Sequence, residues 1–124
     1  MREIKYDAIY KPTGEHFVPI NINFNDKSLT VNFDGKFIDW LYFSLDGKTG
    51  DVILREYTGL KDKKGKEIYE GDIVDVDNTW RNKVEFYKGC FMVDEDVLGA
   101  IHSFSEVIGN IYVNPELLEG ETHV

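Results

Sequence analysis

The sequence predicts a mainly β protein of the α+β class with few short helices, and three observations support this prediction. Between positions 20 and 33, apolar and polar residues alternate with a period of two, which is typical of half-buried strands. From Tyr57 onward, short apolar runs are separated by turn residues at the intervals of a small β-barrel or sandwich. Hydrophobic residues make up 42% of the 124 positions, which is enough to bury the core of one domain.

The first half of the chain predicts an antiparallel sheet. Residues 20–33 indicate a β-hairpin, because the polar segment NDKS separates two alternating runs. The run from Phe37 to Leu45 is apolar at nearly every position, so it fits either a strand buried on both faces or a short helix. Val52 then begins VILREYTGL, which predicts another strand. The apolar positions of the hairpin are Ile20, Ile22 and Phe24 in its first strand and Leu29, Val31 and Phe33 in its second.

The segment YTGLKDKKGKEIYEGDIVDV, residues 57–76, predicts a turn-rich entry into the second half of the chain. We expect the lysines of residues 61–66 to lie in a solvated turn, and Asp72 to accept hydrogen bonds from neighbouring amides. The role predicted for the segment is therefore architectural. Three glycines are expected to adopt positive φ angles, namely Gly59, Gly65 and Gly71.

The second half of the chain predicts four short strands, within DIVDVD, KVEFY, CFMVD and EVIGNIYV. A short helix is expected near the end, because Asn114 can cap it, Pro115 fits its first helical position and Gly120 can stop it. The segment DEDVLGAIHSF can hold one more helix, interrupted by Gly99.

Residues 1–124 are expected to form one unit with a β-rich N-terminal part (1–56), a barrel part (57–119) and a polar tail (120–124). No proline-rich or serine-rich linker separates the first two parts. We therefore expect a seam near Tyr57, at which the sheet of the first part packs on the barrel of the second.

The charge of the chain narrows the class of its partners. Its 23 acidic and 14 basic side chains give a net charge of -9, which disfavours direct nucleic-acid binding and suits a partner with a basic face. Charged residues occupy the first positions, where a signal peptide needs an apolar run, and no segment reaches the ~18 apolar residues of a membrane span. The single cysteine, Cys90, fits a reducing compartment. We therefore expect a cytoplasmic protein with no membrane contact.

No catalytic constellation stands out, so the sequence predicts a protein that is not an enzyme and holds no cofactor or metal. The three histidines, His16, His102 and His123, have no cysteine or histidine at ligand spacing. One enzymatic hypothesis remains besides the two non-enzymatic functions given at the end of this section, namely a hydrolase with a carboxylate-bound metal. Its candidate ligands are Asp72, Asp75 and Asp77.

The strongest candidate for partner binding is the pair Trp80 and Arg81. Both lie within DNTWRNK, which is interpreted as a loop between two strands, and both residue types are enriched in interface hot spots. The alternative is that the ring of Trp80 folds back onto the edge of the barrel as part of its packing.

Three separated motifs, REIKYDAIY, YTGLKDKKGKEIYEGDIV and EVIGNIYVNPELLE, resemble in order and spacing the YopX family of bacteriophage and prophage proteins. The resemblance spans residues 2–119, although Asp7 and Ile9 depart from the arginine and the aromatic residue expected after the first motif. It implies a mainly β fold whose C-terminal part is similar to an SH3-like barrel. It implies no reaction, cofactor or site residue.

The function that we predict is therefore that of a phage-derived or prophage-derived accessory protein in the cytoplasm of a bacterial host. We expect it to act as a non-enzymatic module that binds a protein, and a basic host or phage protein would suit its charge. The alternative is a regulator of nucleic-acid machinery, acting by direct contact or by acidic mimicry of phosphate. Homo-oligomerisation is compatible with either role, because barrel edges and aromatic surfaces favour pairing.

Overall fold

The computed structural model describes residues 5–33, 36–44 and 48–119. Strands account for 56% of these residues, in curled antiparallel sheets that include a half-barrel, and the helices are short. This confirms the prediction of a mainly β fold. No helix among the described residues is long and apolar enough to cross a membrane. Contacts divide the chain into two compact units, with the division between Glu56 and Tyr57.

The N-terminal unit, Lys5–Glu56, is built from antiparallel strands around its own core. Its elements are β1 (Tyr6–Tyr10), β2 (Glu15–Phe17), β3 (Asn21–Asn23), β4 (Ser28–Phe33), β5 (Lys36–Tyr42) and the first part of β6 (Val52–Lys61). β1 lies between β2 and β6, and β4 lies between β3 and β5. The buried core consists of Ala8, Leu29, Val31, Phe43 and Val52.

The predicted hairpin is present as the β3–β4 pair, in which Ile22 lies opposite Leu29. Its first strand is shorter than predicted, because Ile20 and Phe24 flank β3 and their side chains are 54% and 48% exposed. The apolar run that the sequence left undecided is a strand over residues 36–42, paired with β4. Position 45 lies outside the described residues.

The C-terminal unit holds a five-stranded antiparallel sheet in the order β11-β10-β9-β8-β12. The elements that follow β6 are β7 (Glu67–Tyr69), β8 (Asp72–Val76), β9 (Trp80–Tyr87), β10 (Cys90–Val93), β11 (Asp96–Val97), α1 (Leu98–Ile101), a 3-10 turn (His102–Phe104), β12 (Ser105–Asn110) and α2 (Glu116–Glu119). Within this unit β7 pairs with the second part of β6, where Tyr57 lies opposite Tyr69. The core consists of Ile68, Val74, Val76, Val84, Phe91, Val93, Leu98 and Ile101.

Both predicted helices are present as single turns. Gly99 lies inside α1, where the apolar side chains of Leu98 and Ile101 hold the turn against the core. The side-chain oxygen of Asn114 accepts the amide of Asn110 at 3.3 Å, so its bond joins the end of β12 to the segment before α2. Position 120 and the predicted tail lie outside the described residues.

The backbone expected in residues 57–76 is confirmed at each predicted position. Gly59, Gly65 and Gly71 have φ angles of 88°, 83° and 88°, in the left-handed region that favours glycine. The carboxylate of Asp72 is buried and accepts the amide of Tyr69 at 2.8 Å. The segment therefore shapes the entry into the second unit, as its sequence predicts.

Gly71→Ala is expected to lower the free energy of unfolding more than Gly89→Ala. Both glycines have φ of 88°, so each substitution carries the same cost of about 1 to 2 kcal/mol for a left-handed alanine. A Cβ at Gly71 would lie 2.7 Å from Cε2 of Tyr112, whereas no atom lies within 4 Å of a Cβ at Gly89. Urea unfolding of the two variants should differ by the further cost of displacing Tyr112, about 1 kcal/mol. Equal losses of stability would contradict the close packing of Tyr112.

Candidate protein-binding site

The hairpin between β8 and β9 carries the residues that the sequence proposed for binding. Its turn, residues 77–79, reverses the chain through two consecutive left-handed residues, Asp77 with φ of 53° and Asn78 with φ of 59°. Asp and Asn are the non-glycine residues that adopt this conformation most readily. The amide and the hydroxyl of Thr79 both donate to the carbonyl of Val76, at 3.0 and 2.8 Å. The turn is therefore fixed by its own sequence.

The placement of Trp80 and Arg81 in a loop was wrong. Both residues belong to β9, where Trp80 pairs with Val76 and Arg81 pairs with Asp75. The physical reason is the left-handed turn, which completes the chain reversal before Trp80 and leaves it in register with β8. Trp80 is partly buried and packs against the core of the C-terminal unit. Its exposed part is consequently held in one position by the sheet.

A cavity of about 180 Å³ opens beside this hairpin. Pockets for drug-sized ligands and cofactors occupy roughly 300 to 1,000 Å³, so this cavity is too small for a nucleotide or coenzyme. Its size suits one side chain of a partner. The cavity offers a carboxylate, a guanidinium, a carboxamide, a hydroxyl and an indole, and its lining residues are Asp75, Asn78, Thr79, Trp80 and Arg81.

The three aspartates of the metal hypothesis lie in different settings. Asp72 is buried and bonded to the Tyr69 amide, Asp75 lies within β8, and Asp77 is exposed in the turn. Among the residues that the structure describes, no three or more His, Cys, Asp or Glu side chains converge in a way that could hold a metal ion. Asp72 thus acts in the fold of the segment before β8.

A buried carboxylate organises the turn between β6 and β7. Asp62 is 6% exposed, and its Oδ1 accepts the amides of Lys64 and Lys66, both at 2.9 Å. Its Oδ2 accepts the amide of Val107 in β12, also at 2.9 Å. Burial by itself would raise the pKa of Asp62, but these three donors, together with the charge of Lys66, outweigh it and lower the pKa. Asp62 therefore acts as an ionised anchor.

Sequence reasoning missed Asp62, because the surrounding lysines suggested only a solvated turn. The signal that could have found it is an aspartate three residues before Gly65. Asp side chains at such positions accept amides from the following turn and replace backbone partners. The bond to Val107 could not be expected from this pattern, because 45 residues separate the two positions.

The N-terminal unit contains a buried ion pair that the sequence did not predict either. The guanidinium of Arg55, with 3% of its side chain exposed, binds Oδ2 of Asp7 directly across the β1–β6 pair. Nδ1 of His16 lies 2.8 Å from the same oxygen. His102 in the other unit makes a different contact, since its Nδ1 donates to the carbonyl of Lys61 at 2.7 Å. The side chain of each of these two described histidines is therefore held by a hydrogen bond within its own unit.

Comparison with known proteins identifies the family of the chain and a solved structure with a similar fold. A family model described as YopX protein matches residues 20–119, which include the whole β8–β9 hairpin and begin after Asp7 and His16. No curated protein matches the chain. Among the chains of solved structures that match is protein EF1440 from Enterococcus faecalis, with a TM-score of 0.64 and 24% identity, over 95% of this chain and 99% of that one. At this identity the likeness shows a shared fold.

Proposed function

The chain belongs to the YopX family, and we propose that it is a non-enzymatic accessory protein of phage or prophage origin that binds another protein through the β8–β9 hairpin. The observation that carries this proposal is the cavity of about 180 Å³ beside Trp80 and Arg81. We place this function in the cytoplasm of a bacterial host.

The composition and rigidity of the hairpin support binding. Tryptophan and arginine contribute most to hot spots when a partner shields them from water. Trp80 is already anchored on the core, and the turn before it is fixed by two hydrogen bonds from Thr79. Little side-chain and loop freedom is then lost on association, which favours affinity.

The charge of the chain supports a basic protein as the partner. At a net charge of -9, the protein attracts a basic face at long range and accelerates its encounter. The cavity then accepts one polar side chain of that partner, which the carboxylate of Asp75 and the amide of Asn78 can bind.

Arg81→Glu is expected to bind the partner at least tenfold more weakly than the control described below, because the substitution removes from the cavity lining the guanidinium, which is the hot-spot group that would contact the partner. The tagged chain is first used to isolate partners from its host, and each purified partner is then titrated by calorimetry. The matched control is Lys83→Glu, which makes the same charge change two residues along β9, outside the cavity.

Trp80→Ala is the second variant, and its circular dichroism must first show that the C-terminal unit remains folded. If both Arg81→Glu and folded Trp80→Ala bound every isolated partner as tightly as the unchanged chain, the hairpin would not be the binding surface. The isolation is repeated at low and high salt. Steep salt dependence that survives Arg81→Glu but is lost in the triple variant Asp94→Asn, Glu95→Gln, Asp96→Asn would favour the alternative function, in which exposed acids mimic phosphates toward nucleic-acid machinery.

A further inference from the structure

A patch of positive charge interrupts the acidic surface of the C-terminal unit. Residues 57–119 contain thirteen acidic and seven basic side chains. Four of the seven basic side chains are lysines within residues 61–66, and we call this segment the lysine loop. All four lysines are exposed. Lys64 pairs with Glu106 at 2.9 Å, whereas the other three form no ion pair within the described part of the chain. These three are Lys61, Lys63 and Lys66.

The backbone of the lysine loop is held rigidly. Asp62 accepts two of its amides, the amide of Lys63 donates to the carbonyl of Ser105 at 2.9 Å, and the amide of Gly65 donates to the carbonyl of Asp62 at 3.0 Å. The loop is thus fixed to β12 on one side and closed on itself on the other. Three ammonium groups that form no salt bridge with a described residue are therefore presented from a preorganised backbone, which lowers the entropic cost of binding.

The chemistry of the loop selects a carboxylate-bearing partner. A phosphate nest would need free backbone amides, but those of residues 63–66 already donate to acceptors within the protein. The lysine loop carries neither an arginine fork nor an aromatic ring for base stacking. A long nucleic acid would also extend over the surrounding acidic surface, which repels it. A short acidic segment avoids this repulsion, because salt screens the charges that lie more than roughly 8 Å from it and leaves mainly the attraction of the lysines.

We propose that the lysine loop is a second docking surface, which binds a short acidic segment of a partner protein. It shares no residue with the cavity of the β8–β9 hairpin, but it adjoins that hairpin, because Glu106, which Lys64 binds, lies opposite Asp75 in the sheet. Exposed ion pairs are individually weak, and the loop therefore acts by raising the affinity and selectivity of a complex that has other contacts.

The probe for this surface is a synthetic hexaglutamate peptide, titrated at low salt while the amide signals of the protein are followed by NMR. The unchanged chain is expected to show shifts centred on residues 61–66. The triple variant Lys61→Gln, Lys63→Gln, Lys66→Gln should bind the peptide roughly tenfold more weakly, since three charge pairs are lost. The control is the triple variant Lys27→Gln, Lys48→Gln, Lys88→Gln, which makes the same change in net charge and should alter the affinity less than twofold.

Equal weakening in both triple variants, or no shifts in the unchanged chain, would overturn the proposal. A single-stranded oligonucleotide that displaced the peptide from the lysine loop at lower concentration would assign the surface to nucleic acid and overturn it as well. Trp80→Ala changes no charge and should leave peptide binding unchanged while it weakens the binding of partners at the hairpin, so failure of the hairpin proposal and failure of this one are distinguishable.

Discussion

Asp7→Ala is expected to lower the free energy of unfolding by about 3 to 5 kcal/mol, the usual cost of removing one partner of a buried ion pair. The guanidinium of Arg55 is only 3% exposed, and its charge would remain in the interior without the carboxylate that it binds. His16 would lose the same oxygen as its partner. Urea unfolding followed by circular dichroism measures the loss, and the N-terminal unit should unfold first.

Two controls separate the ion pair from a general effect of substitution. Asp26→Ala removes an exposed carboxylate of the same unit and should change stability by less than about 0.5 kcal/mol. The double variant Asp7→Leu, Arg55→Met replaces both charges by apolar groups and should recover most of the stability, because no uncompensated charge stays buried. A loss below about 1 kcal/mol for Asp7→Ala would show that water reaches Arg55.

The sequence predicts local structure well where the backbone conformation or hydrogen bonding of a short segment favours one residue type. The left-handed angles of Gly59, Gly65 and Gly71 and the amide bond to Asp72 follow from turn chemistry within a few residues. The β3–β4 hairpin follows equally from period-two alternation around a polar turn.

Long-range pairing could not be predicted in the same way. Asp7 and Arg55 are 48 positions apart, and nothing in either neighbourhood indicates that strand register places them opposite each other. The residues proposed for binding show the same division. The sequence identified Trp80 and Arg81 by residue type, but their place in β9 depends on how tightly Asp77 and Asn78 turn the chain. The cavity beside them exists because the turn and the two strands meet there.

Asp62→Ala is expected to lower the free energy of unfolding by about 2 to 4 kcal/mol. Hydrogen bonds to a charged acceptor contribute about 1.5 to 3 kcal/mol each, and the carboxylate of Asp62 accepts three. The total is smaller than their sum, because water can replace the carboxylate as the acceptor for the two amides of the exposed lysine loop. The amide of Val107, on the edge of β12, should lose most protection. Urea unfolding measures the total, and hydrogen exchange at the amides of Lys64, Lys66 and Val107 locates it.

The same anchor predicts how stability depends on pH. Because the folded chain holds the pKa of Asp62 below its ordinary value of 3.8, the unfolded chain takes up the proton at a higher pH than the folded chain. The contribution of Asp62 is therefore complete well above pH 3.8 and is lost as the pH falls through the folded pKa below it. Asp62→Asn keeps one carbonyl oxygen as an acceptor, so it should lose less stability than Asp62→Ala and should flatten the acid limb of the profile. An unchanged acid limb in Asp62→Asn would mean that other carboxylates govern acid unfolding and that Asp62 anchors the loop by geometry without its charge.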